Sequence, residues 1–245
     1  MSEASPPVPE APVTELDPAV LVLGMHRSGT SWLAGALKRA GLFLGRHSAW
    51  NPYNQRGNQE NPDVVELHDR VLAAAGGAWN DPPARVEWSA EHLRQARELA
   101  ADMGIYGPWG FKDPRVLLVL EGWRQVLGSF LAVGIFRHPG AVAASLAERD
   151  LMAPEEGLRL WQAYNLRLLA ELERKAFPLL CFDWAPERLA QRTAEVCTDL
   201  GLDEPEASGT FFAPDMRHER APIPVPAELE ALYDRLRSWA DGADR

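Results

Sequence analysis

Only two cysteines, Cys181 and Cys197, occur among the 245 residues. So few thiols exclude a disulfide-built scaffold, and both are expected to be reduced. Long hydrophobic runs are equally scarce: none approaches the roughly 18 apolar residues that a membrane span requires. Residues 1–17 are acidic and proline-rich, with neither the basic start nor the apolar centre of a signal peptide. They read as a disordered lead-in to one domain over residues 18–245, and the protein reads as cytoplasmic, with no membrane partner. Positive charge is in deficit, 25 Lys and Arg against 35 Asp and Glu, for a net charge of −10. Nucleic acids are bound largely through a basic face, so no nucleic-acid partner is expected. The same deficit weighs against a polyanionic partner. No spacing of His, Cys, Asp or Glu asks for a metal, and no internal repeat is visible.

What is present suffices for one sizeable core, since 46% of the residues are hydrophobic. Short continuous apolar runs at residues 19–23, 109–112, 130–136 and 178–182 predict buried strands. Helical spacing of apolar residues predicts helices over 30–40, 64–75, 90–103, 116–127, 154–175, 186–201 and 227–239. Another starts at Pro139, a residue tolerated in the first turn. Asn61 or Asp63 is placed to cap the helix over 64–75. Residues 45–63, 79–88 and 207–226 read as loops. Strands alternating with helices imply an α/β fold with a central parallel sheet flanked by helices. Ligands of such sheets bind beyond the carboxyl ends of the strands.

One of those ends carries Gly24-Met25-His26-Arg27-Ser28-Gly29-Thr30-Ser31-Trp32-Leu33. A glycine-bounded loop between a strand and a helix is a phosphate cradle, lined by backbone N–H groups and the positive end of the helix dipole. Gly24 and Gly29 have the spacing of a Walker A loop, but Thr30 stands where its lysine belongs. Kinases and nucleotide hydrolases use that lysine on the β- and γ-phosphates. Here the basic residue is Arg27 instead.

Arg27-Ser28-Gly29-Thr30-Ser31-Trp32 resembles the 5′-phosphosulfate loop of sulfotransferases that use 3′-phosphoadenosine 5′-phosphosulfate (PAPS). Two further motifs carry the resemblance. Arg137 ends a predicted strand and Ser145 lies eight residues later, like the family's 3′-phosphate pair. Gly110-Phe111-Lys112-Asp113-Pro114-Arg115 looks like the KDP segment of the bacterial and Golgi branches. The resemblance implies a three-layer, P-loop-NTPase-like α/β fold, with PAPS as co-substrate and no metal. It gives Ser28, Gly29, Thr30, Ser31 and Trp32 to the 5′-phosphate end, and Arg137 and Ser145 to the 3′-phosphate. Arg27 and Lys112 would offset charge on the bridging oxygen and sulfonate. Asp113 would orient Lys112 or bond backbone groups at the next helix, and Arg115 reads as structural. Arg217 or Arg220 would close over the 3′-phosphate from a late basic loop.

An acceptor hydroxyl also needs a general base. By family position Glu60 is the first candidate; His47 is the second, and His26, inside the cradle itself, the third. Trp32, Trp123, Trp161 and Trp184 fall in regular patterns and are expected in the core. Trp50, Trp79 and Trp88 fall in loops, where they either line an acceptor pocket or pack beneath it. The implied activity is sulfuryl transfer from PAPS to a hydroxyl of a small metabolite or carbohydrate. The alternatives are a degenerate P-loop kinase and a non-catalytic protein that binds adenosine 3′,5′-bisphosphate.

Overall fold

The computed structural model describes residues 18–46, 58–203 and 223–242. Among these, β1 (Val20–Leu23) leads through the glycine-bounded loop into α1 (Thr30–Arg39). Next come α2 (Pro62–Ala74), α3 (Ala90–Gly104), β2 (Gly110–Lys112) and α4 (Val116–Leu127). Then follow β3 (Leu131–Phe136), α5 (Pro139–Asp150), α6 (Pro154–Arg174), β4 (Leu179–Cys181), α7 (Pro186–Asp199) and α8 (Ala227–Asp241). The predicted helices and strands are all present, with ends moved by at most two residues. Helix α2 differs most at its start, because Asn61 rather than Asp63 is its cap. The Asn61 side chain accepts from the Asp63 N–H at 3.0 Å, with Pro62 in the first turn.

The strands form one parallel sheet in the order β2-β1-β3-β4. Leu23 stands beside Gly134 of β3 and Val22 beside Lys112 of β2, so the ends of three strands lie together. The chain leaves β1 toward β2 on one side and returns to β3 on the other. That reversal makes the carboxyl end of β1 the topological switch point, where a crevice opens in such sheets. Every residue of β1 is buried, as its unbroken Val-Leu-Val-Leu run requires of a central parallel strand.

Helices α1 and α7 pack together on the sheet, while α2, α3, α4, α6, α5 and α8 form a second continuous set. Trp32, Trp123, Trp161 and Trp184 are all in the core. Cys181 and Cys197 are buried free thiols, so no disulfide joins them. No helix among the described residues is long and apolar enough to cross a membrane.

Trp88 is a packing residue, which resolves one of the two loop readings against the acceptor pocket. Its indole lies on Gly122 of α4 and donates to the Val119 carbonyl at 3.1 Å. A Cβ at Gly122 would overlap that ring. Gly122→Ala is therefore expected to destabilise the fold by about 1–3 kcal/mol despite the better helix propensity of Ala. Urea denaturation measures it, and a stabilised variant would contradict this packing.

Candidate functional site

The loop after β1 holds two residues in the left-handed region, Arg27 (φ 66°) and Gly29 (φ 92°). This conformation turns consecutive N–H groups toward one concavity. Only glycine fits at position 29, because a Cβ there would overlap the Phe182 ring. For Arg27 the conformation costs about 1–2 kcal/mol, and a long-range contact accompanies it: Arg27 Nε donates to Ser145 Oγ at 2.7 Å. Helix α1 starts immediately after, without a side-chain cap, so its first-turn N–H groups lack intrahelical partners. Thr30 and Ser28 are buried within this turn, and Ser28 Oγ has no hydrogen-bond partner among the described residues. Ser31 Oγ donates to the Asn58 carbonyl at 3.0 Å, tying the loop before α2 to the cradle. Trp32 packs edge-on to Phe182.

Arg137 follows β3 and shares that neighbour, its guanidinium lying 5.4 Å from the centre of the Phe182 ring. Both motifs predicted to hold a nucleotide thus flank one aromatic side chain, at the same end of the sheet. Asp183 stands 3.7 Å from Arg137 Nε, accepts from the His138 N–H at 2.6 Å, and takes a hydrogen bond from Tyr233 at 3.1 Å. Ser145 lies one helix away on α5, buried, with Arg27 as its partner.

The third motif enters from β2. Lys112 is 2% exposed, and its Nζ meets Glu60 Oε1 at 2.6 Å. Burial pulls the ammonium below its ordinary range, although Glu60 and Asp113 oppose that. Glu60 keeps 17% of its side chain exposed, at the edge of a groove of about 540 Å³. That groove runs along the outer face of α2, past Val65, Asp69 and Ala73. Lys112 is therefore not the solvated partner of Asp113 that a Lys-Asp pair would suggest. Asp113 instead caps the next segment, accepting from the Arg115 N–H at 3.2 Å and from its guanidinium at 2.9 Å. Arg115 also reaches Asp69 at 2.7 Å.

His26 is buried, with Nε2 unpartnered among the described residues and its ring 4.6 Å from that of Trp79. Burial, with the Arg115 charge adding to it, holds its imidazole well below the usual range. Trp79 is half-buried, and its carbonyl accepts from Tyr164 at 2.9 Å. His47, Trp50, Arg217 and Arg220 lie outside the described residues.

Three participants escaped the sequence reading. Phe182 is the last residue of an apolar run, with nothing to mark its role as the wall between two motifs. Asp183 had a faint signal, a carboxylate just past a strand end. His68 had a clearer one: it interrupts the buried stripe Val64, Leu67, Val71, Leu72 of α2.

No protein-family model matches the chain, and no curated protein matches it. Among solved structures it is similar to the sulfotransferase domain from the Synechococcus PCC 7002 olefin synthase. The TM-score is 0.58 at 14% identity, covering 90% of this chain and 94% of that domain. At such identity the likeness is one of fold: the parallel sheet and its helices are arranged as in a sulfotransferase domain.

Proposed function

We propose that this chain, folded like a sulfotransferase domain, transfers a sulfuryl group from PAPS to a hydroxyl of a small metabolite or carbohydrate. The observation that carries the reading is the Arg27–Ser145 contact of 2.7 Å. It joins the loop suited to a 5′-phosphosulfate to the helix suited to a 3′-phosphate, and the Lys112–Glu60 pair stands at the end of the neighbouring strand β2.

In this reading the N–H groups of Gly29, Thr30 and Ser31, with the hydroxyls of Thr30 and Ser31, hold the 5′-phosphate. Arg137 and Ser145 hold the 3′-phosphate, and the masses of Phe182 and Trp32 back the loop. The acceptor lies in the groove along α2, with its hydroxyl at Glu60. Its oxygen forms a bond to sulfur as the bond from sulfur to the 5′-phosphate oxygen breaks. The leaving bisphosphate keeps that electron pair, and the hydroxyl proton passes to Glu60. Lys112 and Arg27 offset the negative charge that grows on the departing oxygen. Lys112 bonds Glu60 before donor arrives, which dulls the carboxylate as a base. Turning the ammonium toward the bridging oxygen releases Glu60 for proton transfer, so donor binding and base activation are coupled.

Incubation with labelled PAPS and a mixture of hydroxylated metabolites, followed by mass identification of the product, tests the reading. Transfer supports it. Turnover of Mg-ATP favours the kinase alternative, and bisphosphate binding without turnover favours the silent one. Arg137→Ala is expected to raise the donor KM about 10–100-fold, the worth of one charge-assisted contact to a phosphate, with a smaller effect on kcat. It should also narrow the preference for PAPS over adenosine 5′-phosphosulfate. An undiminished preference in that variant removes Arg137 from the 3′-phosphate.

A further inference from the structure

We propose that His68 is a positioning residue that clamps the Asp113 carboxylate behind Lys112, so that Lys112 meets Glu60 as a charged ammonium. Its consequence for turnover rests on the sulfotransferase reading above; its consequence for the charge of Lys112 does not.

The clamp has a fixed direction. Trp123 Nε1 lies 2.7 Å from His68 Nε2, and an indole N–H can only donate. His68 Nε2 therefore accepts, and the ring proton sits on Nδ1, which lies 2.7 Å from Asp113 Oδ2. The other oxygen of Asp113 is taken by the backbone and guanidinium of Arg115. Both His68 and Asp113 are fully buried. With donors on each oxygen the carboxylate cannot turn. Burial alone would raise the Asp113 carboxyl, but the hydrogen bond from His68 and the Arg115 charge hold it well below the usual range.

The strand transmits this to Lys112. β2 is three residues long, and side chains alternate along it. Phe111 packs on Trp123 at 4.6 Å and faces His68 at 6.1 Å. Asp113, two positions on, turns to the same side, which leaves Lys112 pointing the other way toward Glu60. A buried imidazole among Val64, Leu67, Val71 and Leu72 contributes less to packing than another leucine would, so its two hydrogen bonds are its distinguishing contribution.

The charges that act on Lys112 are Glu60 from the segment before α2, and Asp113 and Arg115 from the turn after β2. His26, from the loop after β1, also senses Lys112, and burial holds its imidazole well below the usual range. Two anions thus favour the ammonium against burial and one cation. Removing the donor of Asp113 frees that carboxylate to swing toward Arg115, which withdraws negative charge from beside Lys112, so its pKa falls.

The chain has three lysines, Lys38, Lys112 and Lys175, so a protein labelled with ¹³Cε-lysine gives three signals, assigned by Lys112→Met. In H68F the Lys112 signal is expected to titrate about one pH unit lower than in the wild type. His68→Asn keeps an N–H at the position of Nδ1 and should restore the wild-type midpoint. His68→Gln reaches Trp123 but not Asp113, and should behave like H68F. With PAPS as donor, kcat should fall about tenfold in H68F and H68Q, with the donor KM unchanged, because the phosphates are held elsewhere. An unmoved Lys112 midpoint in H68F, or equal midpoints in H68N and H68Q, overturns the proposal; the second comparison decides the matter if H68F does not fold. If the wild type transfers no sulfuryl group, the sulfotransferase reading fails while the lysine titration still decides the role of His68.

Discussion

Glu60→Gln is expected to lower kcat by about 10²–10⁴-fold, the usual worth of a positioned general base. An amide keeps the shape of the carboxylate and its contact with Lys112, but it cannot accept the acceptor's proton. Binding of adenosine 3′,5′-bisphosphate, followed by calorimetry, should be unchanged, because the loop after β1 and Arg137 do not involve Glu60. Near-wild-type turnover would remove Glu60 from the chemistry. The substitution has a second effect through its partner. Lys112 then keeps a buried ammonium with a neutral neighbour, so its pKa drops further from the ordinary 10.5. Between that lowered value and 10.5 the folded chain binds fewer protons than the unfolded one. Stability must therefore rise with pH across the window. The destabilisation of E60Q should be largest near neutral pH and shrink in mildly alkaline buffer, as denaturation midpoints at a series of pH values will report.

Lys112→Met should also damage turnover, by about 10²–10³-fold, since in the proposed mechanism it removes the charge that offsets the leaving oxygen. Its stability cost should be the smaller of the two. Glu60, left behind, has 17% of its side chain at the groove and can regain water there, whereas Lys112 at 2% cannot. Removing one member of a buried pair typically costs about 3–5 kcal/mol, while replacing both with neutral groups costs much less. The double variant E60Q/K112M is thus expected to be more stable than E60Q alone. A strictly additive double-mutant cycle would mean that the 2.6 Å contact contributes nothing.

The architecture was legible because its signals are local. The runs around Val20–Leu23 and Leu131–Phe136 are continuous and β-branched, and Gly29, Asn61, Pro139 and Pro186 punctuate the chain where helices begin. Strand ends carry the site in such a sheet, so Arg27, Lys112 and Arg137 could be picked out by their place after apolar runs. Less legible was the use of Asp113. A Lys-Asp dipeptide says nothing about which neighbour each residue faces, and adjacent residues at a strand end face opposite ways. Lys112 turns to Glu60 while Asp113 turns to His68. Trp88 was equally ambiguous, since only its seat on Gly122 separates packing from ligand contact.

Amino-acid order by itself determined where strands, helices and the cradle loop lie, for each of these depends on propensity, glycine and proline placement, and burial periodicity within a dozen residues. It also determined which charged residues stand at strand ends. Who meets whom was decided by the tertiary structure. Arg27 and Ser145 are 118 positions apart, Glu60 and Lys112 are 52 apart, and His68 and Asp113 are 45 apart. Their meetings follow from the order β2-β1-β3-β4, which brings three strand ends to one place. A parallel sheet gains its neighbours through long crossovers, so the energy that selects one order comes from burying whole faces rather than from any short stretch of chain.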